Sequence, residues 1–227
     1  MIVQITLMTI GAYLLGSIPT SYIASRLLKG IDIRSYGSGV SSGSNVWHSV
    51  SRGAGVVVVT FDILKGIVPV AISYYVLEFP LWAAGIVALA VMAGHSWSIF
   101  LRFSGGRGLA TMMGTLIVLV PLAVLVFVVI MLLGLLLLKN SPVSMLLGVA
   151  ATPFVSLGLG KPPGLTLCMF GMVLLLIIRR LLAESTIPPG EWKRVMIYRL
   201  LLDRDTRDRE AWIYQSPSST EEPTIKR

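Results

Sequence analysis

The sequence predicts an all-α integral membrane protein of about seven transmembrane helices, its N-terminus outside and its glycine-rich loops gathered on the cytoplasmic face. Three observations predict it. Hydrophobic residues fill 55% of the 227 positions and charged residues only 13%, a balance that a water-soluble chain of this length could not bury. Carboxylates are scarce where the chain is apolar: between Ser35 and Ile178 only Asp62 and Glu78 occur. The basic residues stand in short loops between apolar runs, the pattern that orients helices in a bilayer. Residues 1–183 therefore form the membrane domain and 184–227 a polar cytoplasmic tail. The net charge of +8 follows from this topology and not from nucleic-acid binding, which is excluded as a partner.

Apolar runs near 2–28, 53–77, 80–100, 143–158 and 165–178 reach or approach the ~20 residues that a spanning helix needs. The first has no basic segment before it, and Arg26 and Lys29 follow it, so it is a retained span and not a cleaved signal. The run 109–138 admits two readings. As one helix it would carry Lys139 to the side opposite Arg102 and Arg107, and would send Arg179 and the tail there too. Pro121 cannot donate a hydrogen bond and crowds the preceding turn, so it predicts a division into a short segment near 111–120 and a longer one from Leu122. Arg26, Lys29, Arg34, Arg52, Arg102, Arg107, Lys139, Arg179 and Arg180 then share one side, leaving Lys161 and Glu78 on the other. The short half cannot cross a ~30 Å core unaided; it must be shielded by neighbours or line a polar cavity.

Three segments beside the basic face carry the candidate chemistry. In Gly37-Ser38-Gly39-Val40-Ser41-Ser42-Gly43-Ser44-Asn45, glycines and small hydroxyl residues can bring backbone N–H groups around a phosphate, although such a stretch also suits a flexible connector. Asp62 and Lys65 stand at i and i+3 inside an apolar span, where a charge needs a partner or a function. They read either as an ion pair fixing helix packing or as a pair facing an interior cavity and orienting the loops. The stretch from Gly94-His95 through Gly105-Gly106-Arg107-Gly108 to Thr111 brings a His, an Arg among glycines and a helix N-terminus together, a ready anion site. On its residues alone His95 reads as a hydrogen-bonded packing residue, Arg102 as a topology anchor and Trp97 as an interfacial aromatic.

Other chemistries are excluded. Two histidines and two membrane-region carboxylates do not make a metal site, so no metal or cofactor is expected. The chain has no Gly-x-Ser-x-Gly elbow and no phosphate-binding P-loop. The lone Cys168, in an apolar run, has no intrachain disulfide partner. A transporter for lipid phosphates would use similar loops, but it predicts repeated halves, and no clear internal repeat occurs.

In this order and spacing the segments resemble the bacterial membrane-bound acyl-phosphate:glycerol-3-phosphate acyltransferases. The likeness covers roughly 16–182 and rests on Gly16-Ser17-Ile18-Pro19-Thr20-Ser21-Tyr22, Gly37-Ser38-Gly39 with Asn45, Asp62-x-x-Lys65-Gly66, and Gly94-His95 through Gly105-Gly106-Arg107-Gly108-Leu109-Ala110-Thr111. The resemblance implies a seven-helix fold in a bacterial cell membrane, acyl-phosphate and glycerol 3-phosphate as substrates, membrane lipids around it, and lysophosphatidate as product. It implies catalytic roles for Ser38, His95 and Arg107. Substrate contacts are implied for Gly37, Gly39, Ser44, Asn45, His48, Gly105, Gly106, Gly108, Thr111, Arg180 and one or both of Ser141 and Ser144, with Asp62 and Lys65 as orienting residues. The proton acceptor is a substrate phosphate oxygen or His95.

Three positions and one segment depart from the family pattern. Val40 replaces an Asn, His48 an Arg that grips glycerol phosphate, and Arg107 a Lys, while Arg179-Arg180-Leu181-Leu182-Ala183 supplies neither the His nor the Asn of the family's final cytoplasmic segment. A His loses the permanent bidentate clamp of an Arg. These changes define the alternatives: a divergent enzyme with another phosphate-bearing acceptor, or a paralogue without activity. Beyond Leu182, Trp192, Val195, Met196, Arg199 and Leu200 recur at helical spacing. They predict an amphipathic surface helix with Lys193, Arg194 and Arg199 near anionic headgroups, or else a solvated or partner-binding helix, followed by a disordered end over 216–227.

Overall fold

The structure, a computed structural model, describes residues 1–182 and 190–206. Every regular element of length among them is a helix. The first apolar run, expected as one span, remains one candidate span but is carried by two helices: α1 (Ile2–Ser17) and α2 (Thr20–Lys29) are separated at Ile18 and Pro19. Hydropathy runs on through this point, but Pro19 disfavours helical geometry in the residue before it. Helix α2 ends at Gly30, which takes a left-handed φ of 68°.

A short α3 (Gly43–Ser49) is capped by the Ser42 side chain on the Asn45 amide, and α4 (Arg52–Ala71) by Ser51 on Ala54. Helix α4 runs into a π-helical turn (Ile72–Val76) past its internal Pro69. Helix α5 (Leu81–Ser96) follows. The division at Pro121 is as expected: α6 (Leu109–Leu119) stops, and α7 (Pro121–Leu138) starts with the proline in its first turn, where a missing N–H costs nothing. Helices α8 (Ser141–Gly158), capped by Asn140 on Val143, α9 (Pro163–Leu181) and α10 (Trp192–Leu202) complete the bundle.

Among the described residues five helical stretches are long and apolar enough to cross a bilayer, while α5 and α6 are shorter. Helix α7 is apolar on every side yet buries only Ala123 and Phe127, so its remaining faces require lipid. The core forms around α5, where Val87, Ala88, Val91 and Met92 meet Met112 and Leu116 of α6 and Met169 and Met172 of α9. At about 16 Å, α6 cannot span. It buries 111–116 completely or nearly so between its neighbours and needs no lipid contact there.

Close backbone crossings make this possible. A Cβ on Gly66 of α4 would lie 2.2 Å from the Thr111 carbonyl oxygen, and one on Gly114 of α6 2.1 Å from that of Ile63. Gly16 and Gly94 cross in the same reciprocal way between α1 and α5. One end of the bundle holds Ile5 against Phe79 and Ala83, with Gly164 over Trp82. At the other end Lys139 and His48 border one cavity, and Arg180 Nη1 donates to the carbonyls of Pro142 and Leu200. Lys139 and Arg107 therefore lie at the same end, as the division at Pro121 requires.

The tail helix corrects one expectation. Lys193 and Arg194 are exposed, but Arg199 is not turned to headgroups. It is 3% exposed, pairs with Asp205 and donates to the Leu181 carbonyl, docking α10 onto the end of α9. The expected disorder over 216–227 falls outside the described residues.

Gly114→Leu forces a side chain into the α4 backbone. Overpacking of this kind costs ~1–3 kcal/mol or more, so the Tm in detergent falls by several degrees. Gly11→Leu, at a position where an added Cβ meets nothing within 4 Å, leaves it unchanged. Equal melting of both variants would show that the glycine crossing is not a packing constraint.

Candidate functional site

The site starts from a carboxylate in an apolar helix. Asp62 is 2% and Lys65 6% exposed, and each needs partners to offset its desolvation. The Thr20 hydroxyl donates to Asp62 Oδ1 at 2.7 Å, Lys65 Nζ lies 3.0 Å from the same oxygen, and His95 Nδ1 lies 3.5 Å from it. Lys65 Nζ also donates to Thr20 Oγ1 and to the Ile18 carbonyl beside the Pro19 break. The two form an ion pair, with Asp62 on the border of a cavity and Lys65 in a small gap beside it.

The loop 105–108 closes over His95. The Gly106 amide donates to the His95 carbonyl at 3.0 Å, and a Cβ on Gly106 would lie 2.1 Å from His95 Nε2. No other residue type leaves the imidazole room. Gly108 takes a left-handed φ of 81°, and α6 starts there without a side-chain cap. Gly108, Leu109 and Ala110 border the cavity, so the free N–H groups of this turn favour an anion there.

Arginines lock this loop to the end of α9. Arg107 Nη1 donates to the carbonyls of Arg179 at 2.9 Å and Arg180 at 3.4 Å. Arg179 donates back to those of Gly105 and Gly106. Asp203, just past α10, reaches the same place: its Oδ1 lies 3.1 Å from Arg107 Nε and 3.8 Å from Arg180 Nε. Burial pushes the Asp203 carboxyl above its ordinary pKa, against the opposing pull of Arg107 and Arg180.

The serine-rich loop is held from within. The Asn45 side-chain amide donates to the carbonyls of Ile33, Tyr36 and Val40, and Gly37 and Gly39 take left-handed φ values of 55° and 66°. Asp32, which the bound Arg34 side chain holds below the usual carboxylate range, caps the turn at 33–35. This fold carries Ser38 to the cavity. It uses only the carbonyl of Val40, so the turn forms without the family's Asn at that position.

Two adjoining chambers result, which share part of their lining. The inner one, about 390 Å³, is bordered by Ser38, Asp62, His95, Arg107 and Arg180, with Val59, Ile63, Met113 and Leu176 as its apolar wall. The outer one, about 300 Å³, is bordered by Asn45, His48, Lys139 and Ser141; Ser38, Ser44, Met145 and Asp203 border both. Gly105 sits behind, in a small gap with Lys65 and His95. Besides Gly105, five expected contacts border neither chamber: Gly37, Gly39, Gly106, Thr111 and Ser144. Thr111 is fully buried beside Gly66 with its hydroxyl unpartnered, and Ser144 is buried, its hydroxyl donating to the Asn140 carbonyl. Of the two serines, Ser141 faces the chamber.

Sequence reasoning left out Thr20, Lys139, Arg179 and Asp203 as site residues. Thr20 lay within a quoted motif and Arg179 beside Arg180. Asp203 carried no local signal. Among the described residues no group of three or more His, Cys, Asp or Glu side chains could hold a metal. The arrangement can bind an anion between two guanidinium groups and a helix N-terminus, beside a hydroxyl, a carboxylate-bound imidazole and an apolar wall.

Comparison with known proteins bears on the family and the fold. Residues 6–184 match the family described as glycerol-3-phosphate acyltransferase. Glycerol-3-phosphate acyltransferase 5 of Dehalococcoides mccartyi is 38% identical over 95% of each chain. Glycerol-3-phosphate acyltransferase 4 from another strain of that species is 36% identical over 92% of this chain and 93% of its own. The crystal structure of PlsY, an integral membrane glycerol 3-phosphate acyltransferase, in its glycerol 3-phosphate form has a TM-score of 0.76 at 27% identity, covering 90% of this chain and 96% of that one. Its lysophosphatidic acid form gives 0.73 at 25%, covering 88% and 98%.

Asp62→Leu strands Lys65 as a buried charge, which costs ~3–5 kcal/mol when one partner of such a pair is removed. The Tm in detergent drops sharply, and Asp62→Leu with Lys65→Met recovers part of the loss. A double variant that melts below the single one would rule out the ion pair as the source.

Proposed function

The chain belongs to the glycerol-3-phosphate acyltransferase family, and we propose that it acylates glycerol 3-phosphate with an acyl-phosphate as donor, at the cytoplasmic face of a bacterial cell membrane. It is an integral membrane enzyme of phospholipid synthesis, with glycerol 3-phosphate and lipid substrates. The observation that carries the donor assignment is the inner chamber. Arg107 and the start of α6 border it together with the apolar Val59, Ile63, Met113 and Leu176, which suits one molecule with a phosphate head and an acyl chain and leaves Arg180 for the second phosphate.

In the proposed reaction the glycerol hydroxyl attacks the acyl carbonyl carbon, the bond from that carbon to the phosphate oxygen breaks, and phosphate leaves with the electron pair. Lysophosphatidate and inorganic phosphate result. Arg107 and the α6 N–H groups stabilise the charge that grows on the leaving phosphate, and Ser38 donates to a substrate oxygen. The leaving group is good enough that no covalent enzyme intermediate is needed. The hydroxyl proton passes to a substrate phosphate oxygen. His95 turns Nδ1 to Asp62 and Nε2 to the Gly106 loop, which supports a positioning role for it in preference to that of base.

Arg180 supports an active enzyme over a silent paralogue. His48 is exposed on the rim of the outer chamber, whereas Arg180, 4% exposed, brings a permanent guanidinium to the inner one. It takes over the grip on the acceptor phosphate.

Purified protein in detergent with palmitoyl phosphate and glycerol 3-phosphate is expected to release inorganic phosphate and form lysophosphatidate. Arg180→Ala raises KM for glycerol 3-phosphate by about tenfold or more, as expected for a charged hydrogen bond worth ~1.5–3 kcal/mol. Absence of acceptor-dependent turnover would sink the acyl-phosphate assignment, and an unchanged KM would remove Arg180 from the acceptor site.

Topology is tested separately. In a Cys168→Ser background, cysteines placed at Arg102 and Lys161 are expected to react with an impermeant reagent from opposite sides of the membrane. Labelling of both from one side would refute seven passes with the loops on the cytoplasmic face.

A further inference from the structure

Asp203 stands where a substrate anion would be expected. It comes from the tail, yet it borders both chambers, and its Oδ1 lies 3.1 Å from Arg107 Nε and 3.8 Å from Arg180 Nε. The α10 helix does not favour a carboxylate there. Asp203 is its C-cap, in a left-handed conformation with φ 55°, and a negative charge at a helix C-terminus meets the negative end of the dipole. The two arginines are what hold it. The fit is loose: Oδ1 is buried without a hydrogen-bond partner, so the contact is one of charge and not of aligned N–H donors.

The docking of α10 is shallow as well. Only Val195 and Arg199 of its eleven residues are buried. Its hold on the bundle includes Arg199 to the Leu181 carbonyl and Arg180 Nη1 to the Leu200 carbonyl. Arg180 thus serves two masters. The guanidinium that faces the inner chamber is the one that grips the tail.

We propose that Asp203 is a built-in competitor for the substrate phosphate: while α10 is docked, its carboxylate occupies the Arg107–Arg180 site, and phosphate binding displaces it and loosens the tail. The proposal rests on reading that site as the phosphate site. A phosphate presents more oxygens to two guanidinium groups than a single off-line carboxylate oxygen does, so it wins the exchange at sufficient concentration. Asp203 and α10 together then set the concentration of acceptor at which the enzyme works. Each turnover begins from a state in which part of the binding free energy is used to open the tail.

The test uses the full chain in detergent. Asp203→Asn keeps the size and the tolerance of a left-handed φ but removes the charge. Val195→Asp breaks the docking of α10 without touching either chamber. If the docked state fills about nine-tenths of the population, both variants lower KM for glycerol 3-phosphate by ~10-fold and leave kcat within about twofold. Trypsin cleavage after Lys193, Arg194 and Arg199 supplies a readout that needs no turnover. In the unaltered chain inorganic phosphate speeds it, and in Asp203→Asn it is fast with or without phosphate.

An unchanged or raised KM in Asp203→Asn overturns the proposal. A lower KM in Asp203→Asn but not in Val195→Asp also overturns it, because simple charge repulsion would then account for the effect. Cleavage indifferent to phosphate in the unaltered chain overturns it too. If the unaltered chain has no turnover, the acyltransferase reading fails, and phosphate-dependent cleavage alone still decides the competitor.

Discussion

The structure depends on one requirement: the Asp62 carboxylate, in the middle of an apolar helix, must be satisfied from inside the protein. A buried ion is tolerated only when hydrogen bonds and an opposite charge surround it. Lys65 supplies the charge but brings its own need for acceptors, which the Ile18 carbonyl and Thr20 meet. The break at Pro19 puts both within reach. His95 completes the shell from α5, and the glycines of the next loop are what leave room for its ring. One charged pair thus ties α1, α2, α4 and α5 together, and the polar end of the inner chamber is built on that knot.

Much of this was legible because the membrane amplifies a few signals. Charge in lipid is rare enough that Asp62 and Lys65 identify themselves, and the proline at 121 decides the topology through the side on which Lys139 must lie. The break at Pro19 was not legible, because the apolar run continues across it and hydropathy has no memory of hydrogen bonds. Thr111 was misplaced for a reason of phase: the α6 face that meets Gly66 is opposite the one that borders the chamber, and a motif has no faces. Ser144 shares a face with Ser141, one turn along α8, but packs against Gly134 and gives its hydroxyl to the Asn140 carbonyl. Arg199 looked like a headgroup contact until a carbonyl at the end of α9 and the carboxylate of Asp205 came into view. Asp203 is the extreme case, since it meets Arg107 across nearly a hundred residues of sequence.

The departures from the family pattern differ in weight once their places are known. Asn45 binds the carbonyl of Val40, and any residue type offers that carbonyl. His48 lies on a rim and Arg107 keeps its charge. The pair at the end of α9 matters most, because Arg179 fastens the loop 105–106 while Arg180 faces the chamber and holds the tail. Two neighbouring arginines divide scaffold from site.

The reciprocal glycine crossing of α4 and α6 has a mechanical consequence. With main chain resting on main chain, no side-chain torsion lies between the helices to absorb a displacement, so the two move as one stiff plate. Asp62 and the start of α6 are fixed to that plate. That plate also carries Val59, Ile63 and Met113 of the chamber's apolar wall, so the shape of that wall is set by main chain resting on main chain.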